Sequence, residues 1–404
     1  MKGTQAVTVL VLVGVGARDE TKELNGISHF LEHAFFKGTK KRPDTLSLIE
    51  PLDRVGGMCN AFTGEEYTGF WAKTDSKHTE LVLDWLSDIY LNSKFEAKEI
   101  EKEKGVIMQE LKMYLDTPMS YVRDVWEEVL YGNQPAGWSI IGKKENIESF
   151  KRKDFVSYKN KHYAGSNTIV CVAGKIDPVK VKKLVNKYFS HIEDRKIGTR
   201  AKTINKQEKP QSLIHFKKTD QTHFCLGVRG YNRSHKSRYV QALLSTILGG
   251  YMSSRIWMAV RGRQGLAYYV RTTSESLTDT GFLVTQAGVG HERCEKTINL
   301  ILKEYRKLKT TKIDKKELQK AKDNLKGTFT LSLESSDVQA SFYAEQELLS
   351  DEIMSPEQKF REIDKITSED ILKTAKDLFK PKNLNLALVG PFKDKQKFEK
   401  LLKI

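Results

Sequence analysis

An α+β fold made of a duplicated unit is what this chain predicts, on three observations. Short Val- and Leu-rich segments of strand length are interleaved with longer stretches of helical periodicity. Two of the strand segments, Asn167–Gly174 and Asn383–Gly390, share spacing and alternation, each is followed by a Lys-rich helix, and they stand about half the chain apart. Finally, 404 residues exceed one ordinary core, since a domain holds roughly 150 residues. The polar stretch from His191 to Ser212 has almost no apolar clustering and reads as a surface connection. The expected division is therefore a first domain over 1–190, a linker over 191–212 and a second domain over 213–404.

Taken in order, Val7–Val15 is a buried strand entering a glycine turn, and Ile27–Lys37 is a short helix whose apolar residues recur at helical spacing. Asn60–Thr63 and Tyr67–Ala72 flank the Gly64-Glu65-Glu66 turn as two strands, followed by helices over 81–91, 97–115 and 121–130. The second copy restarts with strands over 212–216, 223–228, 268–273 and 281–287. Helices then run to about Leu378, and a last strand covers 384–389.

Hydrophobic residues at 39% and charged residues at 30% fit packed cores under an ionised surface. The apolar opening Ala6–Val15 is far shorter than the ~20 residues that cross a bilayer, and acidic and basic residues follow it where a cleavage site would sit. The expected location is cytoplasmic, without membrane attachment. Four scattered cysteines form no C-x-x-C pair and indicate neither a disulfide framework nor a thiolate metal cage. The net charge of +16 invites a nucleic-acid reading, but residues 1–150 carry 18 basic against 24 acidic residues, so the surplus lies downstream. Aromatic residues are too sparse among the Lys-rich stretches to build a stacking platform, and no nucleic-acid partner is expected.

Chemistry concentrates in His29-Phe30-Leu31-Glu32-His33. On a helix, residues three and four apart share a face, so both imidazoles and the carboxylate point together. Two histidines supply half of a tetrahedral zinc site, and Glu32 beside it can take a proton from a metal-activated water. The H-x-x-E-H order is the inverse of the commoner H-E-x-x-H. The alternative is a buried helix whose histidines bond carbonyls. A further acidic ligand is needed, and Glu103 and Glu110 lie seven residues apart on one helix face, flanked by apolar Val106, Ile107 and Leu111. Either can face the metal.

With these residues the sequence resembles the insulinase, pitrilysin and mitochondrial processing peptidase family of inverted-motif zinc metallopeptidases. Leu24–His33 followed by Phe36-Lys37-Gly38-Thr39 is similar to that family's metal-binding signature. The resemblance implies one Zn2+ per chain held by His29, His33 and Glu110, with Glu32 as catalytic base and Glu103 as a supporting carboxylate. It also implies two homologous α+β domains, each a mainly antiparallel sheet packed with helices, joined as a clamshell that encloses an unfolded peptide. Asn60, Ala61 and Phe62 resemble the family's substrate-binding edge strand, and Arg261 and Tyr268 its downstream substrate-holding pair, the tyrosine hydroxyl donating to the developing oxyanion. The partners implied are a peptide substrate and a second subunit, in a homodimer or in a heterodimer with a paralogue. A non-catalytic subunit paired with an active paralogue is the alternative.

Three departures from the family pattern stand out. The strand that usually precedes the first one in the family does not appear, which implies either a late start or a shorter first sheet; Tyr251 stands where the family commonly has a third glycine; and Pro51 interrupts a segment expected to be helical.

Overall fold

The computed structural model describes residues 1, 3–350 and 352–404. The first half runs β1 (Ala6–Val13), α1 (Ile27–Ala34), α2 (Thr45–Asp53), β2 (Met58–Thr63), β3 (Thr68–Asp75), α3 (Thr79–Asn92), α4 (Ala97–Leu115), α5 (Pro118–Tyr131), α6 (Lys144–Ser149), α7 (Arg152–His162), β4 (Thr168–Gly174) and α8 (Pro178–Phe189). The second half repeats this order with β5 (Gln211–Phe216) added in front: β6 (Thr222–Arg229), α9 (Arg238–Gly249), β7 (Ala267–Ser276), β8 (Gly281–Val289), α10 (Cys294–Thr310), α11 (Lys315–Ser332), α12 (Ser336–Leu349), α13 (Pro356–Lys365), α14 (Ser368–Leu378), β9 (Leu384–Gly390) and α15 (Lys395–Glu399).

The chain forms two compact units. Unit 1 comprises residues 1–112, 138–201 and 331–353, and unit 2 comprises 113–137, 202–330 and 354–404. In unit 1 the antiparallel sheet runs β2-β3-β1-β4. Alternation along β1 sends Val9, Val11 and Val13 into a core with α1, α3 and α7, while Leu10 and Leu12 meet Ala340 and Ala344 of α12 on the other face. In unit 2 the sheet runs β5-β9-β6-β8-β7, antiparallel except for the β5–β9 pair. One face packs on α9, α10 and α14; the other, through Cys225, Phe282, Val284 and Val389, packs on Trp126 and its neighbours in α5.

The units therefore exchange helices along the sequence: α5 comes from the first half yet covers the sheet of unit 2, and α12 comes from the second half yet covers the sheet of unit 1. The contiguous division into 1–190, 191–212 and 213–404 does not mark this exchange, because amphipathic periodicity shows that a helix is buried without showing against what. The expected linker also divides, with its part up to Ala201 in unit 1 and the remainder in unit 2. Arg200 ties that first part down, bonding Asp19 at 2.8 and 3.0 Å and the Glu66 carbonyl at 2.9 Å.

Among the described residues the sheet of unit 1 has four strands where that of unit 2 has five, and β5 is the strand of unit 2 that has no counterpart there. Pro51 does not break its helix: it sits in the last turn of α2, which ends two residues later at Asp53.

Candidate metal centre

Helix α1 is short, and its ends are fixed from outside. It begins at Gly26, whose φ of 98° suits glycine, and a Cβ there would meet the Ile141 carbonyl oxygen at 2.7 Å. Glu20, almost fully buried, accepts from the first free amides of the helix, Gly26 N and Ser28 N, each at 2.8 Å, and from Asn25 Nδ2 at 3.0 Å. Ile27, Phe30, Leu31 and Ala34 bury the opposite face in the core of unit 1. His29, Glu32 and His33 are left together on the open strip.

Across from them, α4 presents Glu110. His29 Nε2 lies 3.6 Å from one carboxylate oxygen of Glu110, and His33 Nε2 lies 3.6 Å from the other. One nitrogen of each imidazole and an oxygen of Glu110 fall within 4.8 Å of one another. Glu103, one face-repeat earlier on α4, does not join this cluster. It accepts from His33 Nδ1 at 2.9 Å and pairs with Lys37 Nζ at 2.5 Å, so it supports a histidine. His29 Nδ1 is buried without a partner.

The donor set of two imidazoles and one carboxylate, converging within 4.8 Å, fits the three protein ligands of a catalytic zinc ion. The carboxyl groups around it differ in how they hold protons. The approach of His29 holds the Glu110 carboxyl below its usual range. Burial opposes ionisation of Glu103, but the bonds to His33 and Lys37 prevail and hold it low. Burial raises the Glu32 carboxyl above its usual range, against the lowering effects of Thr63 and the two imidazoles.

Thr63 is the site residue that sequence reasoning passed over as a partner: its hydroxyl donates to Glu32 Oε2 at 2.6 Å. The signal lay in strand alternation, which puts Thr63 on the same side of β2 as Ala61, while Phe62 packs on the opposite side of the sheet. A second expectation needs correction. Val106, expected beside the buried stripe, is 51% exposed, because it precedes Glu110 by one helical turn and shares its open face.

Asn60, Ala61 and Phe62 lie on β2, which among the described residues is an edge strand paired only with β3. Arg261 and Tyr268 belong to unit 2. Arg261 stands exposed in the π-helical turn Trp257–Gly262, its guanidinium 5.7 Å from the Trp257 ring centroid. Tyr268 is 74% exposed at the bulge where β7 shifts register against β8.

Residues 1–144 match the family described as Insulinase (Peptidase family M16), and residues 149–325 match the Peptidase M16 inactive domain. The uncharacterized zinc protease YmxG of Bacillus subtilis is 36% identical over 388 residues, which is 96% of this chain and 93% of the relative. This chain belongs to the insulinase (peptidase M16) family. An uncharacterized zinc protease of Rickettsia felis is 31% identical over 392 residues, covering 97% of this chain and 94% of its own length. Among solved structures, a protease from Helicobacter pylori superposes with a TM-score of 0.90 at 24% identity, covering 97% of this chain and 95% of that one. A peptidase M16 inactive domain from Pseudomonas fluorescens gives 0.88 at 15% identity, covering 97% and 94%. These two show the M16 fold, two α+β domains with largely antiparallel sheets, as expected from the sequence.

Proposed function

We propose that this M16 family member is a zinc-dependent metalloendopeptidase, processing-peptidase-like, that hydrolyses unfolded peptides. The observation that carries the proposal is the convergence of His29, His33 and Glu110 within 4.8 Å, from helices far apart in sequence. A zinc ion held by these three residues would supply a Lewis acid and a water acidified to a pKa of about 7.

The remaining work belongs to the protein. Glu32 is the general base. Thr63 occupies its Oε2, leaving Oε1 to accept the proton and later return it to the leaving amine. Its raised affinity for protons moves it toward the range in which both transfers are efficient. Glu103 and Lys37 orient His33. The free edge of β2 can take an extended peptide as an added strand, with Asn60, Ala61 and Phe62 along it. Arg261 and Tyr268 keep the role the family resemblance implies, holding substrate and donating to the oxyanion.

A homodimer or a heterodimer with a paralogue, in the cytoplasm, completes the proposal. Among the described residues no helix is long and apolar enough to cross a membrane. The test is zinc content and cleavage of a mixed peptide library by wild type and Glu32→Gln. The expected result is about one zinc in both proteins, with turnover lowered by roughly 10²–10⁴ in the variant. Unchanged turnover excludes Glu32 as the base; absence of zinc and of cleavage in the wild type favours the non-catalytic subunit.

A further inference from the structure

The segment Gly16–Glu20, between β1 and α1, reaches both sides of the Thr63–Glu32 hydrogen bond. At its front, Ala17 N donates to the Gly64 carbonyl at 3.1 Å and Arg18 N to the Glu65 carbonyl at 2.9 Å. Gly64 and Glu65 open the turn from β2 to β3, directly after Thr63. The two backbones lie so close that a Cβ on Gly16 would meet the Gly64 oxygen at 2.3 Å. At its rear, Glu20 accepts from Gly26 N and Ser28 N at the start of α1, the helix that carries Glu32. A shift of this segment against the turn therefore changes where Thr63 stands relative to Glu32.

Four charged side chains of unit 1 lock the segment to the turn. Arg18 Nη1 pairs with Glu66 Oε1 at 2.5 Å, each side chain being 1% exposed. Arg200, the last residue but one before the chain leaves unit 1, supplies the second cation. Its Nε and Nη2 donate to the two carboxylate oxygens of Asp19 at 3.0 and 2.8 Å. Nη2 also donates to the Glu66 carbonyl at 2.9 Å, and Nη1 lies 3.1 Å from Glu66 Oε1. Asp19 in turn accepts from Gly16 N at 3.0 Å. Arg200 thus spans the segment, through Asp19, and the turn, through Glu66. Its planar fork is what allows both contacts, since an ammonium cannot meet two carboxylates and a carbonyl in this geometry. Without it, two carboxylates share one guanidinium in a poorly solvated place, and the segment and the turn are driven apart.

We propose that Arg200 is a positioning residue for peptide hydrolysis. By clamping Asp19 to Glu66 it fixes the β2–β3 turn and so keeps the Thr63 hydroxyl on Glu32 Oε2. The catalytic half of this inference rests on the peptidase reading, in which the other oxygen of Glu32 is left for the proton; the structural half does not.

The test compares wild type, Arg200→Gln, Thr63→Val and the double variant of the full chain by two readouts. The first is the methyl spectrum of the zinc-free proteins labelled with 13C at threonine methyl groups, the Thr63 signal being assigned by its loss in Thr63→Val. Arg200→Gln should move the Thr63 signal and leave that of Thr297, buried in unit 2, in place. The second is peptide cleavage by the zinc-loaded proteins. Each single variant should lower kcat by roughly 3–10-fold with KM within about twofold, as loss of one oriented hydrogen bond does. The double variant should be no slower than Thr63→Val alone, because Arg200 acts through Thr63. Arg200→Lys, which keeps the charge and loses the fork, should fall between wild type and Arg200→Gln and replaces the latter if it does not fold. An unmoved Thr63 signal, or losses that multiply in the double variant, overturns the proposal. Cleavage absent from the zinc-loaded wild type while the Thr63 signal still moves overturns the peptidase reading, and Arg200's part in hydrolysis with it.

Discussion

Helices α4 and α11 hold equivalent places in the two units, each following a long helix that itself follows the second strand of a hairpin, yet they bury different chemistry. When Phe95-Glu96 is set against Ile313-Asp314, the pairs that precede the two helices, Glu103 falls opposite Ala321 and Glu110 opposite Thr328. The same contrast holds for the helices after β1 and β6: α9 buries Leu243, Leu244, Ile247 and Leu248, whereas α1 keeps one strip for His29, Glu32 and His33. One scaffold thus carries plain core in unit 2 and a cluster of imidazoles and carboxylates in unit 1. What distinguishes unit 1 is the support around its polar groups. Glu103, only 5% exposed, is answered by His33 and Lys37, and Glu32 is answered by Thr63.

The comparison can be broken first at the exchanged helices. Trp126 of α5 is buried against Phe282, ring centroids 6.1 Å apart, in unit 2. Trp126→Ala should cost about 3–5 kcal/mol, by analogy with other large-to-small core changes. Hydrogen exchange should show protection lost in the β6, β8 and β9 strands and retained in β1 and β3. Loss confined to β1 and β3 would mean that α5 belongs with the first sheet.

A reciprocal pair of substitutions sharpens the contrast between α4 and α11. Ala321→Glu places a carboxylate in a fully buried position of unit 2 and should destabilise the protein by about 3 kcal/mol or more, read by urea denaturation. Glu103→Ala should weaken zinc affinity by about 10–100-fold through loss of the His33 partner, read by competition with a chelator. Equal zinc affinity in wild type and Glu103→Ala would make that carboxylate a purely structural residue.

A pH slope is expected at Glu20, which caps α1 and has no counterpart role in the start of α9. Burial raises its carboxyl from 4.5 to about 7, so the folded protein holds that proton more tightly than the unfolded chain. The associated stability is full below about pH 4.5 and is lost as pH rises through 7. Relative to Glu20→Gln, wild type should lose stability on the order of a few kcal/mol between pH 5 and 8. Parallel pH curves for the two proteins would contradict a raised Glu20.

The local part of this site was legible in the sequence because helical geometry alone brings His29, Glu32 and His33 to one face. The seven-residue spacing on α4 likewise narrowed the acidic ligand to Glu103 or Glu110, and the duplicated strand-turn-helix announced two related units. What could not be read was tertiary. Thr63, Lys37 and Glu20 reach the site from a strand end, a turn and a loop, and no periodicity relates them to the histidines. Val106 was misplaced for a related reason: an apolar side chain was assumed to face the core, although its spacing from Glu110 set it on the open face. The exchange of α5 and α12 escaped because amphipathic helices carry no mark of the sheet they cover.

The most direct test is anomalous scattering at the zinc edge from crystals of the zinc-loaded protein. The expected result is a single peak about 2.0–2.2 Å from His29 Nε2, His33 Nε2 and a Glu110 oxygen, with Glu103 bonded to His33 and not to the metal. A peak elsewhere, or one bound by Glu103 in place of Glu110, would contradict the metal centre described for unit 1.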